Sequence, residues 1–160
     1  MSISVGDKIP NVKVMLATAE GPQEAETGAL FGGGKVALFS VPGAFTPTCS
    51  AKHLPGFVEK SEEFKSKGVD KIVCMSVNDA FVMDAWGKDQ NAGGKVEMMA
   101  DGNGDFARAL GLTMDGKGFG MGERSQRFSA VIEDGVVKHL NVEQPGAFDV
   151  SSADHMLGQL

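Results

Sequence analysis

Two short apolar runs constrain this chain more than any other feature. Val36-Ala37-Leu38-Phe39 and Lys71-Ile72-Val73-Cys74-Met75-Ser76-Val77 are apolar on successive residues rather than alternate ones. Runs of that length and kind fit strands buried on both faces. Between them Leu54, Phe57, Val58 and Phe64 recur at spacings of three, four and seven, which suits one face of a helix. Pro55-Gly56 should bend that helix or start it afresh, and Lys67-Gly68 should end it with a cation and then a glycine.

The remaining chain reads in the same grammar. Residues 11–16 alternate like a short strand, and Glu20-Gly21-Pro22 marks a turn. Asn78-Asp79 caps a helix through Phe81, Val82 and Trp86. Val96 to Met99 reads as a strand, Asp101 to Gly104 as a turn, and Phe106, Ala107 and Leu110 as a short helix closed by Gly111. Gly116 to Gly122 reads as a loop. Phe128–Ile132 and Val136–Leu140 flank an Asp134-Gly135 pair, a hairpin signal, and a last helix runs from about Ser152 to Leu157. Strand, helix, strand, helix, strand, then a hairpin and a helix imply an α/β fold. Its central sheet is mixed, with helices on both faces. No repeat or linker interrupts residues 1–160, so one domain is expected.

Composition excludes several classes of function. With a net charge of -6 and no Lys/Arg-rich run, neither nucleic acid nor an anionic membrane is an expected partner. No apolar stretch approaches the ~20 residues of a membrane span. The first ten residues carry no basic-then-apolar leader, so a cytoplasmic location is expected. Two cysteines are too few for a disulfide scaffold and point to a reducing compartment. Gly32-Gly33-Gly34-Lys35 is no phosphate loop: Ala29 stands where its first glycine belongs, and Val36 where Ser or Thr would bind magnesium.

The chemistry concentrates in Val41 to Ser50, VPGAFTPTCS, which follows the first apolar run. Pro42, Gly43 and Pro47 keep it from continuing as strand or helix. It is therefore a strand-to-helix loop that delivers Cys49 to the first turn of a helix. Unpaired N–H groups and a positive dipole end favour a thiolate there. Thr46 and Thr48 place hydroxyls beside the sulfur. An ordinary cysteine is roughly 3% thiolate at neutral pH, so full ionisation gains only about 30-fold. A catalytic Cys49 therefore needs donors aimed at the charge that develops in the transition state. Thr46, backbone N–H groups and an arginine are the kinds available.

VPGAFTPTCS and Leu54-Pro55-Gly56-Phe57 together carry the PxxxTxxC form of the peroxiredoxins, and resemble most the type II (peroxiredoxin-5) subfamily. The similarity extends through Val5-Gly6-Asp7, Ser76-Val77-Asn78-Asp79, Trp86, Leu110-Gly111-Leu112 and Arg124 to Phe128. The resemblance implies a thioredoxin-like fold and a thiol peroxidase acting on hydrogen peroxide and alkyl hydroperoxides. It makes Cys49 the peroxidatic nucleophile, Thr46 a hydrogen-bond partner of sulfur and peroxide, Arg127 the cation that holds the thiolate, and Pro42 a shield. It also implies a homodimer, no bound cofactor or metal, and an external reductant, either glutathione with glutaredoxin or thioredoxin. Arg124 is expected at the surface or a subunit interface.

Cys74 admits two readings. A cysteine inside a strand is commonly a small buried hydrophobe, whereas plant-like type II enzymes carry a cysteine at this spacing that is sometimes assigned as the resolving partner. His53, four residues after Cys49, could pair with it for acyl transfer, but no orienting carboxylate is identifiable and a solvated helix histidine is expected. His139 and His155 show no partner spacing, and no CxxC or HxxxH pattern suggests a metal. Two further readings of Cys49 stand beside the peroxidase. One is a sensor that passes oxidation stoichiometrically to a partner; the other is a disulfide reductase, against which the missing CxxC argues.

Overall fold

The structure, a computed structural model, describes residues 2–160. Both apolar runs are central strands. β3 (Lys35–Ser40) and β4 (Lys71–Ser76) pair in parallel, and β4 pairs in parallel with β5 (Glu97–Ala100). β8 (Phe128–Glu133) runs antiparallel to β3, and β9 (Val136–Val142) antiparallel to β8. At the opposite edge β1 (Lys13–Thr18) runs antiparallel to β5 and β2 (Gly21–Glu26) to β1. The seven strands lie in the order β2-β1-β5-β4-β3-β8-β9, the mixed sheet of a thioredoxin-like fold.

Side chains of β3 and β4 are buried on both faces, which is why these strands lack polar alternation. Ala37, Phe39, Ile72 and Cys74 face one way, onto α2 (Leu54–Glu59), α3 (Ser61–Ser66), α4 (Ala80–Asp89) and α6 (Ala153–Leu157). Val36, Leu38, Val73 and Met75 face the other, onto α1 (Thr27–Leu30) and α5 (Asp105–Leu110). Asp79 caps α4 by accepting from the Val82 N–H at 2.8 Å, and Ser152 caps α6 through His155 N–H at 3.1 Å. The Asp134-Gly135 turn closes the β8–β9 hairpin with φ of 51° and 82°, the positive values that a two-residue turn of this twist requires.

One local reading needs correction, and two gain detail. Gly21 and Pro22, read as part of a turn, begin the edge strand β2, which continues to Glu26; its polar sequence hid it, and Pro22 is tolerated at an edge. Pro55-Gly56 starts the helix afresh: Pro55 occupies the first turn of α2, after the π-helical turn Cys49–His53, where a missing N–H costs nothing, and a further break falls at Lys60, with ψ of 7°. The glycine-rich loop contains a 3₁₀ turn, Lys117–Phe119, between the paired strands β6 (Thr113–Asp115) and β7 (Glu123–Ser125). Among the described residues, no helix is long and apolar enough to cross a membrane.

Candidate active site

The loop that follows β3 emerges at the C-terminal ends of the parallel strands, where open α/β sheets place their ligand sites. Its first residue is fixed to the neighbouring strand, since Val41 N–H donates to Met75 O at 3.1 Å. Its middle is held by Asn78, whose Oδ1 accepts from Ala44 N–H at 2.9 Å and from the Ser76 hydroxyl. Phe45 takes a φ of 65°, a conformation a bulky side chain adopts only when its surroundings impose it. The loop then enters a π-helical turn, Cys49–His53, which runs into α2.

Cys49 is fully buried. Thr46 Oγ1 lies 2.8 Å from its Sγ and 2.7 Å from the Gly43 carbonyl. A hydroxyl has one proton, so it cannot donate to both. With a thiol, sulfur donates to Thr46 and Thr46 to Gly43; with a thiolate, Thr46 turns its proton to the sulfur. The hydroxyl thus follows the charge state without moving its oxygen. Arg127 enters from the segment between β7 and β8, with Nη2 3.1 Å from Sγ. Glu143 N–H donates to the Arg127 carbonyl at 3.0 Å and fixes its backbone.

His53 is not solvated, as the sequence suggested, but fully buried. Arg127 Nη1 lies 2.8 Å from His53 Nδ1, and His53 Nε2 lies 2.8 Å from the Ser151 carbonyl. A guanidinium can only donate, so Nδ1 accepts and Nε2 carries the proton it gives to Ser151. This is a neutral imidazole in a defined tautomer. Burial first, and the Arg127 charge second, push its pKa down to about 3, against the weaker raising effects of the Ser151 carbonyl and Glu143. An imidazole that accepts from an arginine and stays neutral makes no Cys–His base pair of the acyl-transfer kind. The rings of Phe39 at 4.8 Å, Phe57 at 5.8 Å and Phe148 at 5.0 Å enclose it.

Arg124 lies beside the loop. It is half-buried and donates through Nε to the Met121 carbonyl at 2.8 Å, with Nη1 3.5 Å from the carbonyl of Pro42. Pro42 itself is half-buried at the start of the loop. Cys74 lies in the middle of β4, on the same sheet face as Cys49, fully buried and free. Burial, and then the neighbouring Cys49, push its thiol well above the ordinary range. Trp86 Nε1 donates to the Ser50 hydroxyl at 2.9 Å and ties α4 to the turn that carries Cys49. Sequence reasoning missed the roles of His53, Asn78 and Ser50. For His53 a signal existed: it shares the four-and-seven spacing of Phe57 and Phe64, so it belongs to the buried face.

Comparison with known proteins gives the same picture. The Redoxin family model matches residues 4–157. The chain is 51% identical over 159 residues to Peroxiredoxin-2B of Arabidopsis thaliana, covering 99% of this chain and 98% of that one. It is similar in structure to reduced Prx3 of Vibrio vulnificus in complex with hydrogen peroxide (TM-score 0.94, 51% identity, 98% of each chain). It is also similar to a 1-Cys peroxiredoxin of Plasmodium falciparum (TM-score 0.89, 32% identity, 96% of each chain).

Proposed function

The chain belongs to the redoxin family as a type II peroxiredoxin, a thiol peroxidase, and on that premise we propose that Cys49 is its peroxidatic cysteine. The observation that carries this reading is the convergence of Thr46 Oγ1 at 2.8 Å and Arg127 Nη2 at 3.1 Å on one buried sulfur. The thiolate attacks the terminal oxygen of the hydroperoxide. An S–O bond forms as the O–O bond breaks, sulfur is oxidised to sulfenic acid, and the leaving oxygen takes a proton to become water or an alcohol. Arg127 holds the thiolate and donates to the oxygen on which negative charge grows. The Thr46 hydroxyl orients the peroxide, and Pro42 shields the pocket from water. Hydrogen peroxide and small alkyl hydroperoxides are the proposed substrates.

For recycling, we favour an external thiol. Cys74 is fully buried, and burial holds its thiol well above the ordinary range, so it supplies little of the thiolate that would attack a sulfenic acid at Cys49. A glutathione thiol instead condenses with the sulfenic acid, releasing water, and glutaredoxin exchanges the mixed disulfide; thioredoxin is the other candidate. No bound cofactor or metal enters the cycle. Two free cysteines suit a reducing compartment, and the cytoplasm is the proposed location. A homodimer is proposed on the family resemblance.

The test is steady-state peroxide consumption by wild type, Cys49→Ser and Cys74→Ala, each with glutathione plus glutaredoxin and with thioredoxin. Loss only in Cys49→Ser supports the reading. Full activity in Cys49→Ser refutes it, and loss in Cys74→Ala reassigns recycling to an internal disulfide. Rapid oxidation with slow turnover by every reductant would instead mark a stoichiometric sensor.

A further inference from the structure

Arg127 is held twice by one residue that lies outside the sulfur's own contacts. Its carbonyl accepts from Glu143 N–H at 3.0 Å. Its guanidinium is reached from the same Glu143 by a different route. The Glu143 carboxylate accepts from the N–H groups of Asp149, Val150 and Ser151 at 2.8 Å each through Oε2, and from the Ser151 hydroxyl at 2.7 Å. Those bonds fix the Ser151 carbonyl, which accepts from His53 Nε2 at 2.8 Å. His53 Nδ1 then accepts from Arg127 Nη1 at 2.8 Å, leaving Nη2 on the sulfur. The chain of bonds closes on itself from Arg127 main chain to Arg127 side chain.

All of it is dry. His53 and Ser151 are 0% exposed and Glu143 is 6% exposed. The aromatic ring of Phe148 lies 5.8 Å from the guanidinium carbon and covers it on one side. An arginine side chain has several rotatable bonds, and a long cation left free would sample many positions around the sulfur. One acceptor on Nη1 turns the fork, so that Nη2 and its free N–H point at one place.

We propose that His53 is a positioning residue for the peroxidase reaction, acting through Arg127, and that Glu143 anchors it by gathering residues 149–151 beneath its ring. This rests on the proposed role of Cys49. His53 neither touches the peroxide nor carries its proton; it supplies an acceptor that fixes the direction of the guanidinium. Asp149, the remaining charged group in the gathered segment, meets Glu143 only through its N–H.

Two rates separate positioning from general loosening of the site. The first is the second-order rate of Cys49 oxidation by hydrogen peroxide, which needs a directed Arg127. The second is the rate of Cys49 alkylation by iodoacetamide, which needs a charged, reachable sulfur and no directed donor to oxygen. Both are measured on reduced enzyme with Cys74→Ala as the common background. His53→Leu keeps apolar volume and removes the acceptor. It is expected to lower the peroxide rate roughly 10- to 100-fold, the usual scale for misplacing a catalytic group by about 1 Å, while the alkylation rate changes far less. His53→Asn puts Oδ1 where Nδ1 was and is expected to recover most of that loss. Glu143→Gln, which removes the charge that gathers the loop, is expected to lower the peroxide-to-alkylation ratio in the same direction as His53→Leu.

Three results would overturn the inference: a wild-type ratio in His53→Leu, equal ratios in His53→Asn and His53→Leu, or a wild-type ratio in Glu143→Gln. Parallel changes in both rates would mean a loosened site and would also overturn it. If His53→Leu fails to fold, the Glu143→Gln ratio and the comparison of His53→Asn with wild type decide the matter. Slow oxidation of Cys49 in the background enzyme would instead count against the peroxidatic assignment, so the two failures are told apart.

Discussion

Lowering the pH from 7.5 to 5 should cost the folded protein about 2 kcal/mol at a single side chain, His53. In the unfolded chain this imidazole titrates near 6.5. In the folded protein burial and the Arg127 charge push it down to about 3. Between those values the unfolded chain holds a proton that the folded protein does not. The stability conferred by a neutral His53 is therefore complete above about pH 6.5 and declines as the pH falls, approaching about 1.4 kcal/mol per pH unit. Integrated down to pH 5, the loss is about 2 kcal/mol, out of a total that for most domains is about 5–15 kcal/mol. Glu143 shifts the other way. Burial alone would raise its pKa, but the bonds from Asp149, Ser151 and Val150 outweigh that and hold it low. Its stabilisation is present above the unfolded carboxylate range and is lost only in more acid solution, below this window. The assay is urea unfolding across pH 5 to 7.5 at fixed protein concentration, comparing wild type with His53→Asn. The variant starts less stable, but the gap between the two should close by about 2 kcal/mol on going to pH 5. Parallel profiles would refute the reasoning, because they would mean that His53 accepts its proton in the folded protein.

Other outcomes follow from single contacts. Arg127→Lys keeps the charge but loses the fork that serves Cys49 and His53 together, so peroxide oxidation of Cys49 should fall by about 10² or more in stopped-flow traces. Asn78→Leu leaves the Ala44 N–H and the buried Ser76 hydroxyl without their acceptor; thermal melting should report about 1–3 kcal/mol of destabilisation. Phe57→Ala removes a fully buried ring stacked on Phe39 at 4.1 Å and near Phe64 at 5.3 Å, a loss of about 3–5 kcal/mol by urea unfolding.

What the sequence revealed and what it concealed have physical causes. β3 and β4 were legible because strands buried on both faces must be apolar at successive positions, and Asp134-Gly135 because that turn needs positive φ twice. Cys49 and Thr46 were legible because they lie three residues apart on one loop. Arg127 was reached only through family resemblance, since its contact with Cys49 spans 78 positions and depends on β8 pairing with β3. His53 looked solvated because the segment that buries it, residues 143–151, arrives from the far end of the chain. Nothing local announces that a carboxylate at Glu143 will gather three backbone N–H groups there. The contacts of Arg124 were illegible for a similar reason: its acceptors are the carbonyls of Met121 and Pro42, and a carbonyl leaves no mark on the sequence.

The central claim is that Cys49 is the sulfur that meets peroxide. Its most direct test is intact mass after one equivalent of hydrogen peroxide, followed by peptide mapping without reductant. The account predicts a gain of about 16 Da located on Cys49, with Cys74 unmodified. An unmodified Cys49 beside oxidised methionines would contradict it.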